Sequence, residues 1–429
     1  MKSGRRMGPG YAVCAIVAGL ACCLVVFCAK EDGVDNRQHT ARDLLERFRS
    51  VPYTAVTDEQ VGEEQAGVTV HMPKKACGGY NLFCMRTEGT AILMDMEGRE
   101  VHRWSDEATL ARGWPYGVIL ENGDLIVYRE DMGIERLDWD GKILWHVRTG
   151  VHHEIYPLPD GSFYALVRRT VAHRGLDTRF SEITRFSGDG EVVETWSAYE
   201  HLDDIKLALD TLSFLDTVLD SIQEIGISLA EMDTLPPGVH RAKSPGRPLY
   251  DYFHMNTVSI LPETLAGRVD PRFRAGNLLT CFRNVNQIAI LDRESMEIVW
   301  AWGEGELEWP HHPTMLDDGR ILIFDNGVVR EFSRVIEIDP ISLTIEWEYV
   351  GDPPGSFYSR TRGSAQRLPN GNTLVCEGDR GRCFEITRAG EIVWEWVNPA
   401  TDDKGHRAQI YRMMRYAPEF IESLLEKGS

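Results

Sequence analysis

The chain has 429 residues, 43% of them hydrophobic and 26% charged, an ordinary globular mixture long enough to bury a large core. Its formal charge of −20 argues against a nucleic-acid partner, because so acidic a surface repels phosphate backbones. Length alone would allow two or three domains, but closed all-β architectures often run this long as one unit.

Lys2, Arg5 and Arg6 precede an uncharged apolar run over residues 11–29. At a rise of ~1.5 Å per residue, such a run nearly spans a bilayer as a helix. A basic flank stays in the cytoplasm. Residues 1–30 therefore read as a cytoplasmic flank and single-pass signal-anchor in the cell membrane, with everything after them on the periplasmic or extracellular side. A cleaved signal peptide is the rival reading. It would have a shorter apolar region and a small-x-small end, for which Phe27-Cys28 is a poor match. Residues 31–65 are polar and charged, a spacer with one short helix expected over 42–49.

Beyond the spacer one pattern recurs. A short L-x-x-G turn leads into an apolar strand, a second strand, a tight turn and a strand ending in Trp. Leu120-Glu121-Asn122-Gly123 leads to Trp145, Leu158-Pro159-Asp160-Gly161 to Trp196, Leu316-Asp317-Asp318-Gly319 to Trp347, and Leu368-Pro369-Asn370-Gly371 to Trp394. A copy from Gly79 to Trp104 lacks the opening turn, and one from Gly276 to Trp300 follows a longer one. The spacing is close to the ~40–50 residues of a four-stranded propeller blade. Strands such as Ile298-Val299-Trp300-Ala301-Trp302 alternate with period two. The expected fold is all-β, a six-bladed β-propeller over residues 66–429 with a helical tail over 405–429.

Residues 201–232 break the rhythm. Ile205, Leu209, Leu212, Leu215, Leu219 and Ile222 recur at steps of three and four, the mark of an amphipathic helix, and Pro236-Pro237 ends it. This gives a helical insertion over 199–245, between blades three and four, either packed on the outside or serving as a lid. Among the nine cysteines, Cys77 and Cys84 enclose a short loop and Cys376 and Cys383 flank a turn. In an exported chain both pairs are expected disulfides, with Cys281 left over and buried.

In a propeller blade the L-x-x-G turn joins the first two strands, A and B. Residues just before it start strand A near the axis, on the rim that also carries the B-to-C turns. Three copies place histidine there: His152-His153, His254 and His311-His312. The B-to-C turns add Arg283-Asn284, Asp325-Asn326-Gly327 and Asp379-Arg380 to the same rim. The pattern gathers histidines and an arginine at one mouth of the channel, a usual place for a ligand pocket. Neutral imidazole is a competent nucleophile, and neighbouring Arg and His stabilise charge on a sulfuryl or phosphoryl group in transfer. Three histidines could instead hold Zn²⁺ with an open fourth position. Only Glu154 adjoins them as a carboxylate, and an arginine at the same mouth favours an oxyanion over a cation. No metal or cofactor is assigned.

Several stretches together resemble bacterial arylsulfate sulfotransferases. They are Gly79-Tyr80 with Leu93-Met94-Asp95-Met96-Glu97-Gly98 and Trp104, Phe253-His254-Met255-Asn256, and Phe324-Asp325-Asn326-Gly327 followed by Ser333-Arg334. The last are Ala365-Gln366-Arg367-Leu368-Pro369-Asn370-Gly371-Asn372-Thr373-Leu374 and Tyr411-Arg412 to Arg415-Tyr416. The likeness covers roughly residues 66–420. It implies a six-bladed propeller that transfers a sulfuryl group from an aryl sulfate to a phenol, without a nucleotide donor and through a sulfohistidine. By motif, the nucleophile falls on His311, with His312 a rival one register away. His254, Arg283 and His153 are implied to hold the sulfate oxygens, and His312, His152, Asn256, Asp325 and Asn326 to line the substrate. The family's glutamine before the nucleophile is Pro310 here. Residues 31–65 are too short for the N-terminal β-sandwich of well-studied members, so their dimerisation is not carried over. Two other readings of the same mouth stand beside this one, a non-catalytic ligand- or protein-binding propeller and a metal-dependent hydrolase.

Overall fold

The structure is a computed structural model that describes residues 56–60, 66–106, 113–209 and 249–427. The apolar run 11–29, the short helix expected over 42–49 and residues 210–248 of the insertion lie outside these. No helix among the described residues is long and apolar enough to cross a membrane.

The strands that alternate in sequence are apolar on both faces. In Leu278–Phe282, Leu278 and Phe282 face one neighbouring sheet, while Leu279 and Cys281 face the other. A sheet apolar on both sides must be covered on both. Radial repetition meets that need by setting each sheet between two others. Six sheets do so here, and six clusters of buried apolar side chains fill the gaps between successive blades.

The repeated Trp closes several of these gaps. Trp104 Nε1 donates to the Asp138 carbonyl at 3.1 Å, Trp145 to Gly188 at 3.0 Å, Trp347 to Arg388 at 2.9 Å and Trp394 to Met96 at 2.8 Å. Each indole lies in the outer strand of one blade and caps the C-to-D turn of the next. Trp196 departs from this pattern. Its indole N–H is buried without a partner, and the ring stacks on His201 at 5.2 Å.

Closure of the ring differs from expectation. The innermost strand of blade one is Met413–Tyr416, from the far end of the chain, paired Met413↔Phe83 and Tyr416↔Tyr80 with Tyr80–Met85. The first sequence copy therefore has no L-x-x-G turn, because its strands A and B are not consecutive. Gly67–His71 in turn pairs outside Ile392–Val397, giving blade six a fifth strand. The expected helical tail over 405–429 is corrected accordingly. Strands His406–Ala408 and Met413–Tyr416 come first, and the helix is only Pro418–Lys427. The expected spacer ends in a strand, Val56–Gln60, paired with His406–Ala408.

The described start of the insertion is a helix, Leu202–Leu209, whose Leu202, Ile205 and Leu209 pack into the gap between blades three and four. Chain returning from it forms Leu249–Asp251, which runs parallel to Leu176–Phe186. That strand belongs to a long hairpin with Phe163–His173. The hairpin turns at Arg174-Gly175, both at positive φ (49° and 75°), the two-residue geometry that matches strand twist.

Neither expected disulfide forms, and Cys77, Cys84, Cys281, Cys376 and Cys383 are all free thiols. Cys77 packs toward blade six and Cys84 toward blade two, so the blade-one sheet separates them. Cys376 and Cys383 do face each other across strands, but as thiols packed in the apolar gap between blades six and one. Cys281 is buried, and its Sγ lies 3.1 Å from the Pro310 carbonyl oxygen.

Candidate active site

Three inner strands, Val151–Pro157, Met255–Ile260 and His311–Met315, bring the histidines to the axis. Each has a bulge against its partner strand. His153, His254 and His312 have φ of 59°, 48° and 49°. Left-handed backbone costs a non-glycine residue on the order of 1–3 kcal/mol, and such strain gathers at functional sites.

Three of the predicted residues, His152, His153 and His254, meet Asp251 in one buried cluster. His254 Nδ1 lies 2.7 Å from Asp251 Oδ2, and His254 Nε2 lies 3.2 Å from His153 Nε2. His153 Nδ1 lies 2.6 Å from His152 Nδ1. Asp251 fixes the direction of this chain. Burial opposes its charge, but His254, Arg168 and Arg283 outweigh burial and hold the carboxyl below its usual range. As a carboxylate it can only accept, so His254 carries its proton on Nδ1. His254 Nε2 then accepts from His153, and His153 Nδ1 accepts from His152. The His152 lone pair falls on Nε2, which is buried without a partner. All three rings are neutral near pH 7. Burial, followed by the nearby Arg283, pulls His254 down to about 4. Burial above all pushes His152 and His153 well below their ordinary value.

His311 stands apart from that chain and is oriented differently. Its Nδ1 is 2.7 Å from Asn326 Oδ1 and 3.0 Å from the Trp309 carbonyl oxygen. Asn326 cannot turn its amide over, because its Nδ2 donates to the Ser359 and Arg362 carbonyls at 2.7 and 2.8 Å. Both groups facing His311 Nδ1 are acceptors, so the proton sits there and Nε2 carries the lone pair. That Nε2 is buried without a hydrogen-bond partner. Burial, then the Arg283 guanidinium, lowers the ring to about 3, so it is neutral.

Arg283 is fully buried, with its guanidinium 4.4 Å from the centroid of the Trp309 ring. Its Nε and Nη2 donate to Asn284 Oδ1 at 3.2 and 3.0 Å. Asn284 Nδ2 is committed to the Asp251 carbonyl at 2.6 Å. Trp309 thus ties Arg283 to His311, and Asn284 ties Arg283 to the segment carrying Asp251.

Other predicted residues lie elsewhere or act on the frame. Asn256 Nδ2 donates to the Pro310 carbonyl at 2.8 Å, fastening blade four to the link ahead of His311. Asp325 faces away from the histidines. Its carboxylate is 2.9 Å from Arg330 Nη1, 2.8 Å from Arg334 Nε and 2.8 Å from the Glu308 N–H. Asp379 bonds Thr361 and Arg362, and Arg380 reaches the Ser356 carbonyl. His312 turns toward blade six, with Nδ1 3.0 Å from the Ala365 carbonyl oxygen. Among the described residues no group of three or more His, Cys, Asp and Glu side chains is arranged to hold a metal ion.

Sequence reasoning missed Asp251 and Trp309, and saw Arg412 only as part of a motif. The D-x-x-H spacing of Asp251 and His254 is the one local signal for the first. Arg412 forms a buried two-point pair with Glu154 at 2.8 and 3.1 Å, at the level of the inner strands.

The sequence pattern of the arylsulfotransferase (ASST) family matches residues 117–399, from blade two through blade six. The chain belongs to the arylsulfotransferase family. No curated protein matches this arylsulfotransferase-family chain in sequence. Among solved structures it is similar to a protein of unknown function from Bacteroides caccae, at 14% identity and a TM-score of 0.49, covering 79% of this chain and 99% of that one. A virginiamycin B lyase from Staphylococcus aureus matches at 14% identity and a TM-score of 0.37, covering 68% and 72%. The WD40 β-propeller domain of Doa1 matches at 10% identity and a TM-score of 0.43, covering 85% and 98%.

Proposed function

We propose that the chain transfers a sulfuryl group from an aryl sulfate to a phenolic acceptor, without a nucleotide donor, through a sulfohistidine at His311 Nε2. One observation carries this reading. Asn326 and the Trp309 carbonyl hold His311 in the tautomer whose Nε2 is a free lone pair, and burial beside Arg283 keeps it unprotonated. Nucleophile, orienting group and nearby cation are the parts covalent catalysis needs.

In the first half-reaction His311 Nε2 attacks sulfur, and the S–O bond pair leaves with the donor phenolate. The Arg283 guanidinium stabilises charge on the sulfate oxygens, while His254, whose Nδ1–H is given to Asp251 and whose Nε2 accepts from His153, holds the row of histidines in place. In the second half-reaction the acceptor oxygen attacks sulfur, the N–S bond breaks and its pair returns to Nε2. The acceptor phenol gives up its proton in this step, so the exchange as a whole releases the donor phenolate and one proton. His152 and Asn326 act here as positioning residues, while Asn256 and Asp325 hold the frame.

The basic flank and uncharged run 11–29 support a single-pass anchor with the propeller outside the cytoplasm. The test of function is a transfer assay with 4-nitrophenyl sulfate as donor and phenol as acceptor. Wild type is expected to release nitrophenolate and form phenyl sulfate, and His311→Ala to do neither. A wild type inert toward every aryl sulfate tried would favour the binding-propeller reading.

A further inference from the structure

The channel has a second compartment that the mechanism does not use. It is a cavity of about 1020 Å³ opening among the A-to-B turns, on the face away from the histidine cluster. Its walls are mainly apolar and aromatic, including Tyr116, Tyr156, Val258, Met315, Leu368 and Phe420. His153, His254, Arg283 and His311 are not among its lining residues; His312 is. The size suits a drug-sized or smaller molecule, since ligand pockets run about 300–1,000 Å³.

Two polar groups on its wall have capacity left over, and they are of opposite kinds. The Ala365 carbonyl can only accept, so His312 carries its proton on Nδ1 and its lone pair on Nε2. No group among the described residues bonds that Nε2. Arg412 spends Nη1 and Nη2 on the two oxygens of Glu154, which leaves its Nε–H buried without a partner. Arg412 also lies over the Tyr116 ring, 4.6 Å from its centroid. Both groups line the same cavity. Paired with Glu154, Arg412 presents a donor without a net charge, so the wall does not call for an anion.

We propose that this cavity is a second ligand site, for a neutral aromatic hydroxy compound of the phenol or naphthol class. A hydroxyl on an aromatic ring is the group that meets all three features: its O–H donates to His312 Nε2, its oxygen accepts from Arg412 Nε–H, and its ring fills the apolar walls. The site does not depend on the sulfotransferase reading, because binding there involves no sulfate.

The experiment is isothermal titration of the purified full-length chain with 2-naphthol and with 2-methoxynaphthalene, in the absence of any sulfate donor. The two probes share their ring but differ in the O–H. Wild type is expected to bind 2-naphthol at least tenfold more tightly than the methyl ether. That preference should disappear in His312→Leu, and binding of both probes should fall in Thr314→Trp, which fills the cavity from its wall. His311→Ala should bind 2-naphthol as wild type does. Equal binding of the two probes by wild type, or no binding of either, overturns the proposal without any variant having to fold. Loss of naphthol binding in His311→Ala also overturns it, by moving the phenol into the histidine cluster. A chain that binds naphthol as expected but never transfers sulfate leaves this site standing and removes only the function proposed above.

Discussion

At Asn326 a single amide decides which nitrogen of His311 carries the proton. Asn326→Leu removes the acceptor, frees the ring to turn, and should cut kcat by about 10²-fold, the usual cost of misplacing a reacting group. Asn326→Asp should act differently. A carboxylate favours the imidazolium, so it raises the His311 pKa from about 3 and moves the acid limb of kcat/KM to higher pH. In wild type the neutral ring persists well below pH 6, so that limb should lie in the region of pH 3–4 if the protein stays folded. An unshifted limb in Asn326→Asp would mean that the Asn326 contact with Nδ1 does not govern the protonation of His311. The histidines themselves were legible in sequence, because strand A residues precede a recognisable turn. The roles of their partners were not. Asn326 and Asp325 are adjacent in sequence and looked equivalent, yet one bonds His311 and the other pairs with Arg330 and Arg334. Which way a side chain leaves the end of a strand depends on the link packed against it, here Trp309 and Pro310, and no local pattern encodes that.

The repeated Trp is the element that joins blade to blade. Trp104→Phe keeps most of the ring packing but loses the bond to Asp138, and should cost about 0.5–1.5 kcal/mol. Trp104→Ala also empties a buried space and should cost about 3–5 kcal/mol. Trp196→Phe is the control. Its N–H has no partner, so it should cost less than Trp104→Phe, and denaturant melts of the three variants read the order directly. Equal losses at Trp104 and Trp196 would show that the indole bond contributes nothing. The repeat was readable because turn and Trp recur at fixed intervals. The strand that closes blade one was not, since Met413–Tyr416 is short and its partner lies at the other end of the chain. The disulfide expectation failed for a related reason. Closeness in sequence put Cys77 beside Cys84, but an intervening strand carries them to opposite faces of one sheet.

For the whole molecule, burying His152, His153, His254, His311 and His312 as neutral rings links stability to pH. Their pKa values are lowered in the fold, to about 3 for His311 and about 4 for His254, against ~6.5 when unfolded. The unfolded chain therefore binds more protons below pH ~6.5. The stability these rings contribute is complete above that value and is lost as pH falls toward the folded values, by at most ~1.4 kcal/mol per pH unit for each ring. The melting temperature should drop steeply between pH 6.5 and 4.5, and a level profile there would contradict the burial of these histidines. The proposed anchor makes a prediction on the same scale. Protease added to spheroplasts should digest the propeller, and full protection of residues 66–429 would place it inside the cell. Fold, hydrogen bonding and electrostatics converge on His311 Nε2, and the most direct test reads the mass of the intact protein after brief exposure to an aryl sulfate with no acceptor present. The account predicts one added sulfuryl group, mapped to His311, discharged by a phenol and absent in His311→Ala. Sulfate transfer that proceeds at the wild-type rate in His311→Ala, or with no adduct on any histidine, would contradict it.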